Sequence, residues 1–243
     1  MPALRIVGYI AFFLFAFVIG LYWSFPFESA KDRILRTASK QTKMTITAKS
    51  LEPNWVTGAV AKGIKIQTAA DAEPIELSQV YVRAHVLPML TGGRGFTVDA
   101  PIAKGDVHAD IVQSSKGADI DAQAEGLEIA LLPGLAEKTG LKLAGDVDLD
   151  VDLFAGTDPK TSEGVLKIKA AGLETLKGGK MSNFPIPELN VGSFDWTIPV
   201  KNGEALLEQL TITGGDVDLR VDGKITLGSP LDRSLLNLKV GFK

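Results

Sequence analysis

Gly145-Asp146-Val147-Asp148-Leu149-Asp150-Val151-Asp152-Leu153 is the stretch that decides the fold. Apolar and charged residues alternate through it without a break. A strand sends successive side chains to opposite faces, so this pattern buries one face and wets the other. Val107, Ala109 and Ile111 repeat the pattern upstream, as do Ile120, Ala122 and Ala124. Downstream it returns in Val217, Leu219 and Val221, and again in Leu236, Leu238, Val240 and Phe242. Gly and Pro punctuate the intervals, at Gly92-Gly93, Pro133-Gly134, Gly178-Gly179, Gly214-Gly215 and Gly228 to Pro230. Short strands between turn signals predict a mainly β protein. Two short helices are expected, over 132–139 and 203–208, and no linker divides 44–243.

The four aspartates resemble the opening of a calcium loop, which needs oxygens converging on one ion at about 2.5 Å. In a strand, carboxylates at every second position stand about 6.6–7 Å apart, and Val or Leu fills each gap. The run also lacks a turn glycine. A solvated strand face is therefore expected, with Lys167 and Lys169 of a hairpin partner over 164–171 on the same polar face.

Residues 6–25 contain no charge, and Arg5 is the sole charge among the first 27 positions of the 243-residue chain. A helix of about 20 residues rises about 30 Å, the thickness of the hydrocarbon layer. Tyr22 and Trp23 stand near its far end, where amphipathic rings favour the headgroup level, and Pro26 stops it. The run is long for a signal-peptide core and no small-residue cleavage pattern follows, so an uncleaved, single-pass anchor over 1–27 is expected, with the N-terminus cytoplasmic.

Residues 28–43 carry acidic groups early and basic groups late, the order that suits a helix dipole. Lys31, Arg33, Arg36, Lys40 and Lys43 make this juxtamembrane helix a candidate contact for anionic headgroups. From 28 to 65 the net charge is +5, and from 66 to 243 it is -9. That acidity excludes a broadly cationic nucleic-acid binder. The absence of cysteine excludes disulfides, thiol nucleophiles and cysteine-ligated metals. His85 and His108 lack any ligand or triad spacing and read as surface residues. No catalytic, cofactor-binding or metal-ligating set is expected.

A sheet with one apolar face must cover it with a second layer, fold over it, or offer it to a ligand. Each aliphatic side chain left wet forgoes about 1.5–3 kcal/mol. With few helices to cover the sheet, a curled, folded-over antiparallel sheet over 44–243 is expected. Its inward positions, Val147, Leu149, Val151, Leu153, Val217, Leu219, Val221, Leu236, Leu238 and Val240, are candidates for a core or a groove.

Further residues carry a family likeness. Thr45-Ile46-Thr47-Ala48-Lys49-Ser50-Leu51-Glu52-Pro53-Asn54-Trp55, then Val60-Ala61-Lys62-Gly63-Ile64 and Val80-Tyr81-Val82-Arg83-Ala84-His85-Val86-Leu87-Pro88-Met89-Leu90, resemble the N-terminal unit of AsmA-like proteins. Leu141-Lys142-Leu143-Ala144-Gly145-Asp146 looks like their internal repeat. Ile212-Thr213-Gly214-Gly215-Asp216-Val217-Asp218-Leu219, with Gly223-Lys224-Ile225-Thr226-Leu227-Gly228-Ser229-Pro230-Leu231, is similar to the type II secretion system protein N family. The resemblance implies a bacterial inner-membrane protein with a periplasmic C-terminal domain. It implies an accessory role in protein secretion through contacts with other secretion-system subunits, and it supplies no catalytic residues. The wider AsmA-like group implies an alternative, phospholipid binding or transfer along an apolar groove.

Overall fold

The structure is a computed structural model that describes residues 27–42, 44–55, 57–67, 74–102, 104–131, 140–181, 184–216, 218–228 and 233–242. The expected span with Tyr22 and Trp23, as well as Lys43, Val217 and the helix expected over 132–139, lies outside the described residues. Among the described residues no helix is long and apolar enough to cross a membrane.

The first described element is helix α1 (Phe27–Thr42), where the charge order predicts one. Strands β1 (Thr45–Thr47), β2 (Ser50–Asn54), β3 (Gly58–Gln67) and β4 (Ile75–His85) follow, then the short helix α2 (Val86–Leu90). Next come β5 (Arg94–Ile102), β6 (Gly105–Gln113), β7 (Gly117–Glu128), β8 (Leu143–Gly156) and β9 (Glu163–Thr175). A small separate hairpin, β10 (Lys180–Met181) with β11 (Phe184–Pro185), precedes β12 (Leu189–Lys201), β13 (Glu204–Ile212), β14 (Leu219–Thr226) and β15 (Leu235–Phe242).

Among the described residues, thirteen strands form one antiparallel sheet whose order follows the chain from β3 to β15, omitting β10 and β11. β1 and β2 both pair with β3, each along a different part of it. The expected mainly β, antiparallel class is therefore the observed one.

The Asp146–Leu153 stretch lies in β8 and pairs with β9 as its alternation requires. Leu149 faces Ile168 and Val151 faces Leu166, while Asp150 faces Lys167 and Asp148 faces Lys169. Lys167 Nζ reaches Asp150 Oδ2 at 3.1 Å, but Lys169 turns instead to Asp195 on β12, at 3.3 Å. Such exposed pairs contribute at most about 1 kcal/mol each.

The helix expected over 203–208 is a strand. Asn202 and Gly203 both have positive φ, 53° and 74°, so β12 turns into β13 through a two-residue hairpin. That turn matches the right-handed strand twist, and Asn-Gly is its preferred sequence. Ala205 and Leu207 then alternate inward with Glu204 and Leu206 on the other face, where a helix would scatter them.

The principal core is on one face of the C-terminal half. Leu153, Ile198, Val200, Ala205, Leu207 and Leu210 are buried together, with Ile168, Trp196, Val221 and Leu227 packed against them. Val200 is 1% exposed, and its register partners are Gly164 and Ala205, whose small size lets it sit deep. In β7 a bulge at Gly126 (φ 62°) separates Ala124 from Leu127, so both bury on the same face despite their odd spacing. Asp148 Oδ1 accepts a hydrogen bond from Gly126 N at 2.7 Å and pins this bulge.

The N-terminal end buries the opposite face as well. Val60, Ile64 and Leu77 are buried, and Ile64 faces Leu77 in register. Leu77 has the opposite parity to Val82, which faces Val98 on the main apolar face. Helix α1 lies against β1 and β2 there, with Ile46 N donating to Ser39 Oγ at 3.0 Å.

Candidate functional site: an apolar sheet face with an open edge

Cross-strand partners share a face, so the registers trace rows of side chains across the sheet. One row runs Val82, Val98, Ala109, Ala122, Val151, Leu166, Ile198 from β4 to β12. A neighbouring row runs Ala84, Phe96, Ile111, Ile120, Leu153. No titratable group enters either row. Ala109, Ala122 and Ala124 put small side chains in the middle of this face.

Burial changes along these rows. Ile198 and Leu153 are buried at the C-terminal end, whereas Val82 and Phe96 remain 40% and 38% exposed at the other. Val147, Leu149, Val151, Leu219 and Val221 are half-buried. Among the described residues, Val147, Leu149, Val151, Leu153, Leu219, Val221, Leu236, Leu238 and Val240 share one face by register but are unequally covered.

Among the strands of this face, exposure is greatest at β15. It pairs with β14 alone among the described strands, and Leu236 faces Ile225 while Val240 faces Val221. Leu235, Leu236, Leu238 and Val240 are 72%, 66%, 38% and 55% exposed. An edge strand presents unpaired N–H and C=O groups, and soluble proteins usually blunt such edges with charge, proline or brevity. The opposite edge follows that practice, since β1 is short and β2 contains Pro53. β15 carries eight residues, no proline and Lys239 as its sole charge.

The polar face is a lattice of short pairs. His108 Nδ1 lies 2.6 Å from Asp99 Oδ1, and His85 Nε2 lies 2.7 Å from Thr97 Oγ1. Lys62 Nζ donates to Glu52 Oε2 at 2.6 Å, and this bond with that from Ser50 holds the Glu52 carboxyl below its ordinary pKa. The bond from Lys65 lowers Glu76 in the same way, though this pair lies on the Val82 side of the sheet. A cleft of about 760 Å³ opens on the polar face between Lys104, Asp106, Glu125, Asp148 and Lys167, with both signs of charge mixed along it. Among the described residues no group of three His, Asp or Glu could hold a metal ion.

On α1, Arg33, Arg36 and Lys40 are exposed, and Lys31 Nζ donates to the Lys49 carbonyl oxygen at 3.3 Å. Sequence reasoning missed two exposed features: the bare flank of β15 and the apolar turn formed by α2. The run Val86-Leu87-Pro88-Met89-Leu90 before Gly92-Gly93 was the available signal for the second.

No protein-family model, no curated protein and no solved structure matches this chain.

Proposed function

We propose that the chain is a non-enzymatic accessory component of the type II protein secretion system, anchored in the bacterial inner membrane and acting through protein contacts in the periplasm. The observation that carries this reading is β15, a long apolar edge with its flank exposed. An extended segment of another subunit adds to such an edge by main-chain hydrogen bonds, while alternate side chains set specificity. The likeness of the C-terminal segment to the secretion protein N family supports the choice of system.

The test places a photo-crosslinking residue at Asn237 in the native strain. Crosslinks to a named secretion subunit, lost in Leu236→Lys together with export of secreted enzymes, are expected. Normal export in Leu236→Lys and in a deletion strain, with no secretion subunit recovered, overturns the reading.

The half-exposed apolar rows favour a second reading. In it the sheet curls over as an AsmA-like trough that shelters phospholipid acyl chains, with Val82 and Phe96 at its open end. Mass spectrometry of the purified protein would then find phospholipid, diminished in Leu149→Asp. Protein free of phospholipid rejects this alternative.

A further inference from the structure

One end of the sheet carries a cluster of bare apolar side chains. Trp55, at the turn between β2 and β3, is 80% exposed and has a φ of 58°. Leu87, Met89 and Leu90 of α2 are 77%, 52% and 76% exposed. The two turns are neighbours, because Gly58 faces Arg83 in register and Ala84 N donates to Thr57 O at 2.9 Å. Arg94, at the start of β5, and Lys116, in the turn between β6 and β7, stand exposed at the same end, since Arg94 faces Gln113 in register.

The direction of α1 relates this end to the segment before it. Ser39 bonds Ile46, and Lys31 reaches Lys49, so α1 runs antiparallel to the path from β1 into β2. That path continues through Asn54 to Trp55. The start of α1 at Phe27 therefore points towards the Trp55 end of the sheet.

We propose that Trp55 and α2 form a second membrane contact, inserting into the headgroup and upper acyl region of the bilayer from which the anchor emerges. The proposal rests on the reading of residues 6–25 as that anchor. Trp prefers the interface because its ring is amphipathic, and exposed leucines beside it bury in the acyl boundary. Arg94 and Lys116 lie where anionic headgroups attract cations. With two attachments instead of one, the sheet stands at a fixed tilt to the membrane rather than swinging about α1.

The test uses the full chain in vesicles of phosphatidylethanolamine and phosphatidylglycerol whose acyl chains are brominated near the headgroup. A Trp23→Phe/Trp196→Phe variant reports on Trp55, and a Trp55→Phe/Trp196→Phe variant reports on Trp23. Trp55 emission should move to shorter wavelength and lose intensity to bromine. Leu87→Asp with Leu90→Asp, at exposed positions that folding does not need, should reverse both changes. Quenched Trp23 with unquenched, acrylamide-accessible Trp55 overturns the second contact and leaves the anchor standing. If neither is quenched, both readings fail; if Trp55 alone is quenched, the contact stands and the anchor reading fails.

Discussion

Leu207 and Leu236 belong to the same apolar pattern, yet their truncation should cost very different amounts. Leu207 is 6% exposed inside the C-terminal core, and Leu236 is 66% exposed on β15. Fully burying a leucine side chain is worth about 1.5–3 kcal/mol, so Leu207→Ala forfeits nearly all of that and leaves a cavity besides. Its expected cost is about 3 kcal/mol, within the usual span of about 2–5 kcal/mol for buried leucines. Leu236 gains about a third of the transfer term and leaves no cavity, so Leu236→Ala should cost about 0.5–1 kcal/mol. Urea unfolding of the full chain in mild detergent would separate them, with Trp23 and Trp55 replaced by Phe. Trp196 then reports on the core directly, because its indole N–H donates to the Thr211 carbonyl oxygen on β13 and its ring stacks on Phe194 at 4.0 Å. Equal losses in the two variants would refute the argument, since they would mean that the flank of β15 is covered in solution.

A Cβ at Gly203 would stand 2.3 Å from the Pro159 carbonyl oxygen at a φ of 74°, so Gly203→Val should destabilise by more than about 1 kcal/mol, read as a lower urea midpoint. Asp148→Ala removes the acceptor at the Gly126 bulge and should cost about 1 kcal/mol, against about 0.5 kcal/mol or less for the exposed Asp152→Ala. Calcium should leave the melting temperature of the native chain and of Asp146→Asn unchanged. The Glu52 carboxyl is held below its ordinary value of 4.5 by the bonds from Lys62 and Ser50, so its contribution is complete above that value and is lost as pH falls through the depressed one. In Lys62→Met, carboxyl NMR should find Glu52 titrating at higher pH than in the native chain; an unmoved titration would discount the Lys62 bond.

Alternation made β8 and its hairpin with β9 readable, including the placement of Lys167 and Lys169 on the face of the aspartates. It worked because both faces of that hairpin obey a strict period of two. The pattern failed at 203–208 because Leu206 and Leu207 are adjacent, and the adjacency obscured the Asn202-Gly203 hairpin signal beside it. It also gave no warning that Val60, Ile64 and Leu77 bury the opposite face, since which side is covered depends on what packs there. The candidate groove was legible as a shared face and illegible as a surface. Leu153 and Leu236 look alike in sequence, and only the strand order makes one central and the other marginal. The Trp55 and α2 cluster depends on two turns meeting at one end, which no local window contains.

The strand order has a consequence for how the protein is made. From β3 onward each large-sheet strand bonds to strands close to it in the chain, with the β10–β11 hairpin set between β9 and β12. Contacts this local cost little loop-closure entropy, which favours rapid assembly. A chain threaded across a membrane from its N-terminus could therefore lay down its sheet strand by strand as it emerges, without waiting for distant residues. At each moment the newest strand is the growing margin, and the next one satisfies it. β15 retains the character of such a margin in the finished sheet, so a partner that pairs with it would continue the same addition in another chain.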